Sequence, residues 1–134
     1  MIAEGERHAR LRLARTDQVG PVAFRQLLQR FGSAQAALEA FPRLAPGRSL
    51  ASPDRIDAEL AAGERIGARL IVLGDTAYPP ALAAVDPPPP ILWTRGAADL
   101  MQRPCFAIVG ARIASAGGQR IARGLAQQLG GAGH

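Results

Sequence analysis

Phe106-Ala107-Ile108-Val109-Gly110-Ala111-Arg112-Ile113-Ala114-Ser115-Ala116-Gly117-Gly118 is the stretch on which the reading of this chain turns. Apolar residues run into a glycine, a small residue and an arginine. A serine and a glycine pair follow, and a new helical pattern begins. This is the pattern of a buried parallel strand leading through a tight loop to a helix N-terminus. Such a terminus offers unpaired N–H groups and the positive end of the helix dipole to an anion. Cys105–Val109 is therefore expected as a strand. The last helix is expected to open at Gly117 or Gly118, with Ile121, Ala122, Leu125 and Leu129 on one apolar stripe. Strand, glycine loop and helix make the first half of a βαβ unit. A parallel sheet buried on both faces needs more strands than this, so the domain is expected to be incomplete as it stands.

Upstream the pattern is helical. Glu4–Ala14 reads as an amphipathic basic helix, with Leu11 and Leu13 in a core stripe among Arg7, Arg10, Arg12 and Arg15. Asp17–Pro21 is a turn, and Pro21 suits the first position of a second helix. Phe24, Leu27, Leu28 and Phe31 recur at the spacing of one helical face, and Gly32 suits the position after its end. Ser33 caps a third helix, Ala34–Phe41, and a loop follows over about 42–51. Ser52-Pro53-Asp54 starts a fourth, with Ile56, Leu60 and Ile66 inward and Gly67 closing it. Arg69–Leu73 and Ile91–Thr94 then read as strands. Between them, Tyr78–Leu82 and Asp86–Pro90 fix an extended path around a helical turn. The fold class is α/β: a small helical domain over 1–67, then a sheet domain over 68–134.

The first helices also fit a helix-hairpin-helix pattern, whose turn amides can hold a nucleic-acid phosphate. Val19-Gly20-Pro21 supplies only one glycine, and Pro21 has no N–H, so simple helical packing explains the same residues.

The net charge is +5, and every basic residue is arginine. Residues 1–30 carry +3, 31–99 carry −2 and 100–134 carry +4. Guanidinium groups pair bidentately with phosphate, so the basic ends suit a polyanion; a solvated surface accounts for them equally. No apolar run approaches a membrane span, and the first residues lack a signal-peptide core, which together suggest a cytoplasmic protein. The lone Cys105 reads as a small buried hydrophobe.

Gly110 and Ala111 would keep the loop open to close approach. Arg112 would bring a forked donor, Ser115 a hydroxyl or a cap, and Gly117 and Gly118 free amides: a phosphate site without a metal. A structural turn with a solvated arginine is the plain alternative. The dinucleotide fingerprint is broken at Gly110-Ala111-Arg112, and a P-loop needs a lysine, which the chain lacks. His8 and His134 stand far apart, no metal cluster or cofactor motif is present, and no nucleophile–base set points to an enzyme.

Three blocks resemble the DprA/Smf family of bacterial DNA-processing proteins. They are Val19–Ser33; Tyr78–Leu82 with Asp86-Pro87-Pro88 and Leu92–Gly96; and Ala107–Arg112 with Ala114-Ser115 and Gly118, similar to the family's Gly-(Ser/Ala)-Arg motif. The resemblance implies a SAM-like helical domain followed by the beginning of an extended Rossmann-like domain. It further implies single-stranded DNA binding, RecA recombinase as the partner onto which the strand is loaded, a homodimer, and a role in natural transformation. Arg112 would match the family's phosphate-contacting arginine. Gly117 departs from it where many members carry Tyr, and the family's Ser-Gly-x-Ala-x-Gly-Ile-Asp motif would follow the last helix. Two other readings stand beside this one: a Rossmann enzyme acting on a nucleoside phosphate, and a helical protein-interaction module without DNA affinity.

Overall fold

The computed structural model describes residues 2–133. Its elements are α1 (Glu4–Arg15), α2 (Pro21–Phe31), α3 (Ala34–Leu44), α4 (Pro53–Arg65), β1 (Ala68–Val72), α5 (Pro80–Ala83), β2 (Ile91–Arg95), a 3₁₀ turn (Ala98–Gln102) and α6 (Ala116–Gly131). The chain forms two compact units that part between Ala98 and Asp99.

In that first unit α1 is the central element. Leu11 and Leu13 are both fully buried but lie two residues apart, about 200° around a helix. They do not share a stripe. Leu11 enters a core with Ala51, Ile56, Leu70 and Val72, and Leu13 enters a second core with Phe24, Ala34, Ala37 and Leu38. α1 is thus packed on opposite sides, against α4 and the strands and against α2 and α3.

This burial leaves four guanidinium groups to satisfy. Arg7 Nη2 donates to Asp75 Oδ1 at 2.9 Å, and Arg10 pairs with Glu6 and reaches the Leu73 carbonyl. Arg12 Nε donates to the Ala51 carbonyl at 2.8 Å. Arg15 forks onto Glu59, at 2.9 Å from Nε to Oε2 and 2.7 Å from Nη2 to Oε1. Glu59 also accepts the indole N–H of Trp93 at 2.8 Å. Glu6 turns its carboxylate onto the start of α3 and accepts from Ala34 N at 2.9 Å and Gln35 N at 3.4 Å. Ser33 Oγ caps the next free amide of that helix, Ala36 N, at 3.1 Å.

Helix ends follow local chemistry. Gly32 closes α2 with φ of 76°, a left-handed conformation that glycine adopts without strain. Ser52 caps α4, with Pro53 at its first position. Two limits differ from expectation. α3 runs through Pro42 to Leu44, because a proline in the last turn forfeits only the bond to the Leu38 carbonyl and Ala45 N still bonds Phe41 O at 2.9 Å. Ile66 is 58% exposed, because the helix has already ended beneath it.

The strands pair antiparallel, with Leu70 opposite Trp93. The connector between them is pinned where Tyr78 donates its hydroxyl to Pro89 O at 2.6 Å and Arg25 meets Asp86 at 2.6 Å. The parallel sheet expected of 68–134 is not formed among the described residues: β1 and β2 make a two-stranded antiparallel sheet, and Cys105–Val109 joins no ladder. A strand exists only where a neighbour takes its N–H and C=O groups, and no described segment is paired with this one. Val109 is 93% exposed in consequence, and Cys105 is exposed rather than buried.

Gly63, on the inner face of α4, lies under the ring of Trp93; a β-carbon there would come within 2.3 Å of the indole. On helix propensity alone Gly63→Ala should stabilise by about 1 kcal/mol. The packing reverses the sign, and thermal unfolding should show a loss of about 1–3 kcal/mol. A raised melting temperature would contradict the packing described.

Acid should loosen α1. Burial opposes ionisation of Glu6, but the Ala34, Arg10 and Gln35 hydrogen bonds outweigh it and hold the carboxyl below its ordinary 4.5. Glu59 is likewise held low, chiefly by Arg15. A carboxyl with a depressed folded pKa stabilises fully above its unfolded value and ceases to do so as pH falls through the folded one. Stability should therefore decline below about pH 4.5. The double variant Glu6→Gln, Glu59→Gln should be less stable at pH 7 and flatter in its acid limb; an unchanged acid limb in urea titrations would refute the assignment.

Candidate nucleic-acid interface

The loop 110–118 lies wholly in the second unit. Ser115 is the N-cap of α6, and its hydroxyl accepts from Gly118 N at 3.2 Å. The helix therefore opens at Ala116, one residue before the expected glycine pair. The amides of Ala116 and Gly117 head the first turn, where a helix has no carbonyl of its own to offer them. Gln119 N bonds the Ser115 carbonyl at 3.0 Å, and the Gln119 side chain donates from Nε2 to the Ala114 carbonyl, also at 3.0 Å.

Upstream of the cap the chain is open. Gly110, Ala111 and Arg112 are all exposed, and a β-carbon at Gly110 would meet nothing within 4 Å. The fold does not require a glycine there for space; the residue leaves bare backbone facing outward. Gly118 would bring an added β-carbon only to ordinary contact with Ser115, so it too is a permissive rather than a sterically forced glycine.

Beside the loop runs a groove of about 670 Å³. Ile108, Val109, Ile121 and Leu125 give it apolar walls, and Ser115 and Gln119 give it a polar lip. Of the six residues singled out from the sequence, Gly110, Ala111, Ser115 and Gly118 line this groove, whereas Arg112 and Gly117 do not. The sequence reading missed Gln119. A capping box places Glu or Gln three residues after the cap, and here that position is Gly118, so the motif gives no signal.

The charged groups of the two units behave differently. Every arginine of α1 is bonded within the first unit. The start of α3, another helix N-terminus able to attract an anion, already holds the Glu6 carboxylate. In the Val19-Gly20-Pro21 turn, Val19 N is given to Thr16 O at 3.1 Å and Pro21 has no N–H, which leaves only the amide of Gly20. In the second unit Arg103, Arg112, Arg120 and Arg123 are exposed, and among the described residues no ion pair or side-chain hydrogen bond engages their guanidinium groups. Asp99 is the one acid of that unit.

The described residues hold no cluster of His, Cys, Asp or Glu suited to a metal ion, and no helix among them is long and apolar enough to cross a membrane.

Comparison with protein families gives two matches in tandem. Residues 4–62 match the DprA-like N-terminal HHH domain, and residues 69–134 match the DNA recombination-mediator protein A family. No curated protein matches the chain significantly. Together the two matches take in nearly all of the sequence, in the order the three sequence blocks anticipate, and the chain belongs to the DprA/Smf family of DNA-processing, recombination-mediator proteins.

Proposed function

We propose that this chain binds single-stranded DNA through the loop 110–118, without catalysing a reaction, and that Arg112 takes a backbone phosphate there. The observation that carries this reading is the free guanidinium of Arg112, exposed and three residues ahead of the capped start of α6. A phosphate held by that fork lies near a helix N-terminus, so donor and dipole act on the same charge. Gly110 and Ala111 keep the approach clear. The absence of any acid between residues 100 and 134 removes like-charge repulsion of the strand.

The resemblance of Ala107–Arg112 and Gly118 to the family motif supports the same choice. On that basis residues 69–134 contribute to an extended Rossmann-like domain, the protein acts in the cytoplasm during transformation, and the bound strand passes to RecA recombinase from a homodimer. The helical unit serves as a scaffold, since the arginines of α1 and the start of α3 are engaged within it.

Binding of oligo-dT to the wild-type chain and to Arg112→Ala, measured by fluorescence anisotropy over a range of salt, tests this. Loss of one phosphate contact should weaken binding and lower the slope of log K against log salt by about 0.7. An isotherm and slope equal to wild type would overturn the assignment. Wild-type oligo-dT binding fully displaced by equimolar thymidine monophosphate would instead favour a mononucleotide site.

A further inference from the structure

Resting on the proposed role of Arg112, we infer that Gln119 is a positioning residue for the DNA-binding loop. Among the described residues no hydrogen bond holds the segment from Gly110 to Ile113. Arg112 therefore projects from a stretch with no hydrogen bond of its own, anchored at its downstream end. Two side-chain bonds fix that end: Ser115 Oγ accepts from Gly118 N, and Gln119 Nε2 donates to Ala114 O.

The second bond does what a cap cannot. Ser115 secures the helix start to itself, whereas Gln119 reaches from the fourth residue of α6 back past the cap to a carbonyl outside the helix. It fixes the peptide plane between Ala114 and Ser115, and with it the direction in which the chain leaves toward Arg112. A loop fixed before binding loses less conformational freedom on taking the phosphate. The amide is suited to this position. It is neutral, so it donates to the carbonyl without adding a cation that would compete for the ligand, and its second N–H stays free at the lip of the groove.

The role is read from a double-mutant cycle on the full chain, with oligo-dT as probe and anisotropy at several salt concentrations. Gln119→Met keeps the length and the packing but cannot donate. It should bind about two- to tenfold more weakly than wild type, the worth of one hydrogen bond. Its salt slope should fall toward that of Arg112→Ala. In the Arg112→Ala background the same substitution should change nothing further, because the side chain acts through the arginine. Gln119→Asn, one methylene too short to reach Ala114, should behave like Gln119→Met, and it replaces that variant if the latter fails to fold by circular dichroism. Wild-type binding by the folded Gln119 variant overturns the inference while leaving Arg112 in place, as does an equal loss with and without Arg112. Wild-type binding by Arg112→Ala overturns the parent reading and the inference with it.

Discussion

A buried guanidinium is costly to leave without an acceptor, and the first unit is built around that constraint, with Arg7 Nε the one buried side-chain polar atom among the described residues that lacks a partner. α1 is covered on opposite sides by two cores because Leu11 and Leu13 point away from each other. Such a helix has little surface left for four arginines. The chain meets this by bringing an acceptor to each: Asp75 from the turn after β1, Ala51 before α4, Glu59 on α4, and Glu6 one turn back. Apart from the Arg10–Glu6 pair within α1, each bond also ties α1 to another part of the unit, so charge satisfaction and tertiary assembly go together. Most of these pairs are partly exposed and individually weak. Their effect lies in fixing which elements can pack where.

The same residue type has a second use in residues 99–133. There a single acid, Asp99, accompanies the arginines, and the loop that carries Arg112 leads into a helix whose first amides have no carbonyl of their own. Net charge alone does not distinguish these two uses. The basic N-terminal end and the basic C-terminal end carry similar charge, yet one is spent on the fold and the other is free for a polyanion. Glu6 makes the distinction sharper. By lying on the start of α3 it occupies a helix N-terminus that would otherwise attract an anion.

Local features were legible in the sequence. The caps Ser33 and Ser52, the closing Gly32 and the prolines opening α2 and α4 all follow from chemistry within a few residues and stand where the sequence puts them; Ser115, open between a phosphate donor and a cap, is the cap of a helix that begins one residue earlier than expected. The family was legible too, from three short blocks. What failed was non-local. The direction of strand pairing depends on which segment lies beside β1, and that partner is β2 in antiparallel register. The exposure of Cys105 and Val109 is non-local in the same way, since among the described residues no strand pairs with 105–109. The opposed faces of Leu11 and Leu13 are implicit in helix geometry but hidden when only one buried face is assumed. Gln119 escaped because its acceptor is a backbone carbonyl, which no side-chain motif records.

Arginine-specific modification with phenylglyoxal, mapped by mass spectrometry with and without saturating oligo-dT, tests the division of labour between the two ends most directly. The account predicts that Arg112 reacts readily in the free protein and is protected by the oligonucleotide, while Arg7, Arg10, Arg12 and Arg15 react slowly in both states. Protection by DNA along α1, with Arg112 equally reactive in both, would contradict it.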